Sequence, residues 1–144
     1  MPTLGRRGKL YVNSASYASP TWVEITLARD VSDNKETTTV DADCRAMGDW
    51  EAELAVSKKM SIDFDMIHDT TNSAWSIIST AYHALSTVDI LMLNGPRTTS
   101  GSKGMRAVCT VKKFAKSEPL KNIQVDAVSL APALNDNVPV EYTA

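Results

Sequence analysis

Any chemistry in this chain would start from few groups, because its 144 residues include only two histidines, His68 and His83, and two cysteines, Cys44 and Cys109. A hydrolytic triad needs a serine or cysteine, a histidine and a carboxylate in line. His68 precedes Asp69 where an alternating segment gives way to a helical one, the place of a surface or capping residue. His83 follows Tyr82, off the apolar stripe of that helix, and is expected to face solvent. Neither histidine has partners in the local sequence that would make it a base, and no GxSxG elbow, P-loop or GxGxxG occurs. The stretch Asn94–Gly104 (NGPRTTSGSKG) reads as a flexible hairpin loop from strand to strand, whereas a phosphate cradle needs a helix N-terminus behind it. Asp41 with Asp43, and Asp63 with Asp65, could offer oxygens to a hard cation. In a strand, however, such pairs simply share the wet face, and paired carboxylates for glycoside chemistry look no different. The isolated cysteines, in no CxxC spacing, read as free thiols, although a Cys44–Cys109 bridge is also compatible with the sequence. The expectation is a protein that is not an enzyme, with no catalytic, cofactor-binding or metal site.

Bulk charge adds little. The net charge is −2, with 43% hydrophobic and 22% charged residues, which gives no reason to expect nucleic-acid or acidic-lipid binding. Lys112, Lys113, Lys116 and Lys121 have only Phe114 interleaved and read as a solvated strand face. The distribution along the chain is more informative. Residues 30–69 hold eleven acidic and four basic side chains, a balance of −7, and residues 97–121 hold seven basic and one acidic, a balance of +6. Either these segments pair within one fold, or the acidic end of one copy meets the basic end of the next. The second contact is heterologous and builds rings or filaments.

The elements that must carry these residues are mostly strands. Alternation marks Thr21–Leu27, Trp50–Val56 and, most clearly, Met60–Met66, where Met60, Ile62, Phe64 and Met66 alternate with Ser61, Asp63 and Asp65. Lys9–Asn13 and Val88–Leu93 are shorter strands, and Met105–Ala115 and Leu120–Ala131 are long ones around the turn Lys116–Pro119. Helical spacing from Ala74 to Leu85 predicts one amphipathic helix over about residues 72–86. Residues 30–49 read as a long polar loop in which only Thr37–Val40 is β-like, and residues 132–144, with two prolines, as an irregular tail. The three tryptophans fall mostly on faces that read as buried. One domain over residues 1–144, with an N-terminal arm at about 1–8 and a C-terminal tail at about 132–144, suits this length. The fold class is mainly β: an antiparallel β-sandwich or partly closed barrel with one flanking α-helix. The N-terminus lacks a signal-peptide run, and no stretch approaches the roughly 18–20 apolar residues of a membrane span. Synthesis in the cytoplasm and no membrane insertion by this chain are therefore expected.

The order of features resembles a known family. TWVEI leads to a polar segment with Asp30 and Arg45, then to Gly48-Asp49-Trp50-Glu51, SIDFDM, a Trp-containing helix and Leu93-Asn94-Gly95. The ending AVCTVKKFAKSEPLKNIQVDAVSLAPA carries a late strand, a Ser-Glu-Pro-Leu turn and a second strand closing on Ser-x-x-Pro. Over nearly the whole chain this resembles the phage tail-tube (major tail) protein family, related to the tube proteins of type VI secretion systems. The resemblance implies a structural virion protein, made in the bacterial host cytoplasm, whose hexameric rings stack into a conduit for DNA ejection. Tape-measure protein and DNA would occupy the lumen transiently, and tail terminator and distal tail proteins would sit at the tube ends. It also implies that the segment at 30–49 and the terminal arms meet neighbouring copies, while the short tail leaves no room for the extra immunoglobulin-like domain of some relatives. Ser61, Asp63 and Asp65 are candidates for the lumen wall, where carboxylates would repel phosphates. Candidates for contacts between subunits or rings are Asp30, Asp33, Glu36, Asp41, Asp43 and Arg45 on the acidic side, and Arg97, Lys103 and Arg106 on the basic side. The alternatives are a tail terminator or head–tail connector, which forms one ring only, and a carbohydrate-binding β-sandwich module, which usually shows an exposed aromatic platform.

Overall fold

The computed structural model describes residues 4–144, so the first three residues of the expected N-terminal arm lie outside the described part. After a 3-10 turn at Gly5–Arg7 come β1 (Lys9–Asn13), β2 (Trp22–Glu24), β3 (Ala28–Asp41) and β4 (Glu53–Ile67). Helix α1 (Ser73–Ala84) follows, then β5 (Thr87–Leu93), β6 (Lys103–Ser117), β7 (Val125–Pro132) and β8 (Val140–Thr143). The eight strands form one antiparallel sheet in the order β2-β1-β5-β6-β7-β4-β3, with β8 on β6, and the sheet does not close.

Strand β6 explains how one sheet makes a sandwich. Its first half, Lys103 to Thr110, pairs with β5 and β8, and its second half, Cys109 to Ser117, pairs with β7. A bulge between Val111 and Lys113 interrupts the ladder, and bulges bend strands. The two halves fold toward each other, so Val12 and Ile90 from one share a core with Ile62, Phe64, Val128 and Leu130 from the other. Only three residues separate β2 from β3, which brings the two ends of the sheet path together.

Helix α1 lies where the pattern predicts it. Asn72 caps it by accepting a hydrogen bond from the Trp75 N–H at 3.2 Å, and Ala74, Ile78 and Ala81 enter the core. It ends on Leu85 in the left-handed region (φ 54°), where glycine is the usual occupant. Gly104 is required for another reason: a Cβ there would collide with the Met92 carbonyl of the paired strand β5.

Four expectations are corrected. Residues 30–49 are not one long loop: Ala28–Asp41 is a 14-residue strand, laddered to β4 along its length, and the loop is confined to the hairpin tip, residues 42–52, which holds a 3-10 turn at Arg45–Met47. Both of its faces meet solvent beyond Asp33, so no apolar period betrays it. Trp50–Val56 and Met60–Met66 belong to one strand that begins at Glu53, and Trp50 lies outside it, 79% exposed rather than buried. The last long strand starts at Val125 rather than Leu120. The tail is not irregular throughout, since Val140–Thr143 pairs with Lys103–Arg106.

Candidate assembly surfaces

The half-sheet built from the second half of β6 with β7, β4 and β3 has one face in the core and one outside. Ile62, Phe64 and Met66 point inward, so Ser61, Asp63 and Asp65 share the outer face, as the alternation implies. There Asn34 donates its amide to Asp63 at 2.8 Å and to Ser61 at 3.4 Å. The same face carries Ala127 and Ser129 of β7 and Lys113 of β6, small or polar side chains that leave it flat and wet. Arg29 stands opposite Asp65, and Lys59 opposite Glu36, so cations alternate with the carboxylates across the ladder.

Both edges of this half-sheet are open. Among the described residues, strand β3 pairs with β4 alone. On β6, pairing with β5 stops at Thr110, so among the described residues Val111–Ser117 has no strand on that side. Unpaired edges of this length are templates for further strands.

Beyond Ile62, β4 loses β7 and continues with β3 as a two-stranded arm. Its tip, residues 42–52, is exposed apart from the half-buried Ala52. Glu36, Asp41, Asp43 and Arg45 all lie exposed on this arm, and Asp30 sits at its root in a bulge with φ 39°. Asp33 turns the other way: it stands opposite Ile62 and holds Lys35 at 2.6 Å. At the root of the arm a cleft runs between Leu10, Ile25, Leu93 and the start of β3, and a second groove of about 590 Å³ adjoins it through Lys9. That groove is lined by Arg7, Lys9 and the loop Asn94–Ser102, with Arg97 and Lys103 exposed beside it.

A long bent sheet with one lateral helix, open edges and a projecting arm has counterparts among solved structures. The SPP1 tail tube superposes with a TM-score of 0.79 at 9% identity, over 99% of this chain and 80% of that one. A tail of an empty gene transfer agent particle, solved with C6 symmetry, gives 0.75 at 11% identity over 99% of both chains. The baseplate of the anti-feeding prophage gives 0.66 at 7% identity, over 99% and 96%. The chain has the tail-tube fold. No family model matches its sequence, and no curated protein matches it either, so the likeness is one of fold.

Within this tail-tube fold, two polar clusters tie elements of one chain together. Arg106, expected at a contact, is internal: it grips Asp89 with Nη2 at 2.6 Å and Nε at 3.1 Å, and donates to the Tyr17 carbonyl. Its guanidinium lies 3.7 Å from the Tyr17 ring centroid, and Asn13 adds a hydrogen bond to Asp89. The Asp89 hydrogen bonds raise the Arg106 pKa, and the cluster pins the β1–β2 loop to the sheet. The signal for it was present in sequence, as two lone opposite charges, Asp89 and Arg106, inside apolar strands.

The second cluster corrects the reading of His68. Its Nδ1 lies 2.8 Å from the buried Asp126 carboxylate, which also accepts the Trp75 indole N–H at 2.7 Å. Here a strand end, the helix and β7 are tied together by one carboxylate. Nearby, hydrogen bonds from Thr71 hold the Asp69 pKa below its ordinary value, and Lys116 does the same for Glu118. Among the described residues no serine or cysteine is hydrogen-bonded to His68: Cys109 is buried, its thiol pKa pushed up to about 12 by desolvation, and Cys44 is exposed at the arm tip. His83 is exposed. Among the described residues no cluster of three metal-ligating side chains forms, and no helix is long and apolar enough to cross a membrane.

Proposed function

We propose that the chain is the repeating subunit of a tail tube of phage type, a structural component of a virion tail rather than an enzyme. The observation that carries this reading is the four-stranded half-sheet with two open edges, one flat polar face and one apolar face sealed in the core. Joining β3 of one copy to Val111–Ser117 of the next satisfies both edges and continues the sheet around a ring. Six copies, the symmetry of the gene transfer agent tail, make a wide barrel whose polar face lines a lumen. Lys112 and Lys116 on one edge and Glu36 and Asp41 on the other give the joint opposite charges.

The acidic and basic segments support contact between copies rather than within one. Strands β4 and β6 are separated by β7, and no ion pair joins residues 30–69 to residues 97–121 among the described residues. The lumen wall is formed by Ser61, Asp63 and Asp65 with Ala127, Ser129 and Lys113. Its carboxylates are offset by Arg29, Lys59 and Lys113, so the wall is charge-balanced more than acidic. Without a cationic excess, phosphates gain no counterion release from binding, and DNA or a tape-measure protein can slide through. Terminator and distal tail proteins would close the tube ends.

Sedimentation tests the reading. The tube subunit is expected to grow without an upper size limit as concentration rises, with a salt dependence set by the charged joint. A terminator or connector stops at one ring, and a species that remains monomeric at high concentration contradicts both.

A further inference from the structure

We infer that Asn94–Gly95, where β5 gives way to the loop before β6, is a self-modifying site that converts Asn94 to isoaspartate and aspartate. The inference is independent of the tail-tube reading, because it rests on one peptide bond and the atoms around it.

An asparagine is lost when the backbone nitrogen of the next residue attacks its side-chain carbonyl carbon. Sequence selects the place: of the seven asparagines, Asn94 alone precedes a glycine. Glycine has no side chain to block the approach and turns freely into the conformations the attack needs. Asn94 is exposed, so water and hydroxide reach it. A Cβ on residue 95 would press on Ser102 Oγ at 3.1 Å, so the glycine also keeps this spot open.

The hydrogen bonds around Asn94 suit the reaction atom by atom. The Lys103 N–H donates to Asn94 Oδ1 at 3.0 Å, on the oxygen where charge develops as the nucleophile adds, in the manner of an oxyanion hole. The Asn94 N–H donates back to the Lys103 carbonyl at 3.0 Å and anchors the main chain. Among the described residues, neither the leaving nitrogen, Asn94 Nδ2, nor the attacking nitrogen of Gly95 has a hydrogen-bond partner. At other asparagines the same atoms are committed. Asn13 donates Nδ2 to Ser16 and Asp89, and Asn34 donates Nδ2 to Asp63. Asn122 Oδ1 already holds the Ile123 N–H that would have to attack.

The Gly95 nitrogen, after losing its proton to hydroxide, bonds to Asn94 Cγ, and the Cγ–Nδ2 bond breaks. Nδ2 takes a proton from solvent and leaves as ammonia, and a cyclic succinimide remains. Water then adds to either of its carbonyls and reopens the ring as isoaspartate or aspartate, with nothing oxidised or reduced. Both products place a new negative charge in a loop whose Arg97 and Lys103 have no ion-pair partner among the described residues. Isoaspartate also lengthens the main chain by one carbon at the anchor between β5 and β6.

Ageing the purified chain at pH 8 tests the site, read by peptide mapping and by enzymatic methylation of isoaspartate. Modification is expected at Asn94 ahead of every other asparagine, with release of ammonia and a more acidic band on isoelectric focusing. Asn94→Gln should remove that early band, and Gly95→Ala should slow its appearance about tenfold or more. A parallel sample unfolded in urea separates the dipeptide from the fold. A folded chain that reacts at Asn94 at least as fast as the unfolded one supports a site assisted by the Lys103 N–H. A folded chain that reacts more slowly, or no modification at Asn94, overturns the inference.

Discussion

Strand β4 passes through two environments within fifteen residues. From Ile62 to Ile67 it lies between β3 and β7, and its inward side chains are sealed against the other half of the sheet. From Glu53 to Ser61 it has β3 alone, and no residue of that stretch is fully buried. The first part obeys the rules of a folded domain, in which apolar contacts outweigh the cost of ordering the chain. The second leaves Leu54 and Val56 in solvent, with Trp50 exposed just before it, which a monomer does not need. That difference supports the proposed assembly, because the body buries its apolar face within one chain and the arm does not.

Mutations can break this contrast, beginning with the body. Replacing Arg106 by methionine leaves Asp89 enclosed without its partner, and about 3–5 kcal/mol of stability should be lost in urea unfolding. Ile62→Ala, at the three-stranded end of β4, should cost about 2–5 kcal/mol by the same measurement. Gly104→Ala forces β5 and β6 apart and should cost about 1–3 kcal/mol, with the change confined to the body. Leu54→Ala, on the same strand as Ile62 but on the arm, should change monomer stability by less than about 0.5 kcal/mol. A cost for Leu54→Ala approaching that of Ile62→Ala would mean that the arm folds back on its own chain. Thiol labelling sharpens the contrast without mutation. At pH 8 Cys44 should react rapidly in the free subunit and more slowly in the assembled form. Cys109, whose thiol pKa is raised to about 12 by burial, should stay unreactive until unfolding.

The body was legible in the sequence because burial on one face leaves a period. The two faces of Met60–Met66 and the place of the helix over 72–86 could be read, since each has one apolar side and one wet side, although the strand itself runs back to Glu53. The arm was not, because a strand wet on both faces carries no period, and its threonines and aspartates read equally well as loop. Trp50 misled for a related reason: alternation with Leu54 and Val56 looks like a buried face unless the absence of a third strand is known. Ser61, Asp63 and Asp65 were placed together correctly by parity alone. Arg106 was misassigned because adding up charges along a segment ignores where strand pairing puts each one, and Asp89 lies on the neighbouring strand. Asp126 escaped notice as one carboxylate among many, and only the fold brings His68 and Trp75 to it from 58 and 51 residues away.

Electron microscopy of the purified, concentrated protein asks whether this domain builds a tube. Tubes of uniform diameter with an axial channel and a sixfold end view are expected. Monomers, or closed single rings that never lengthen at any concentration, would contradict it.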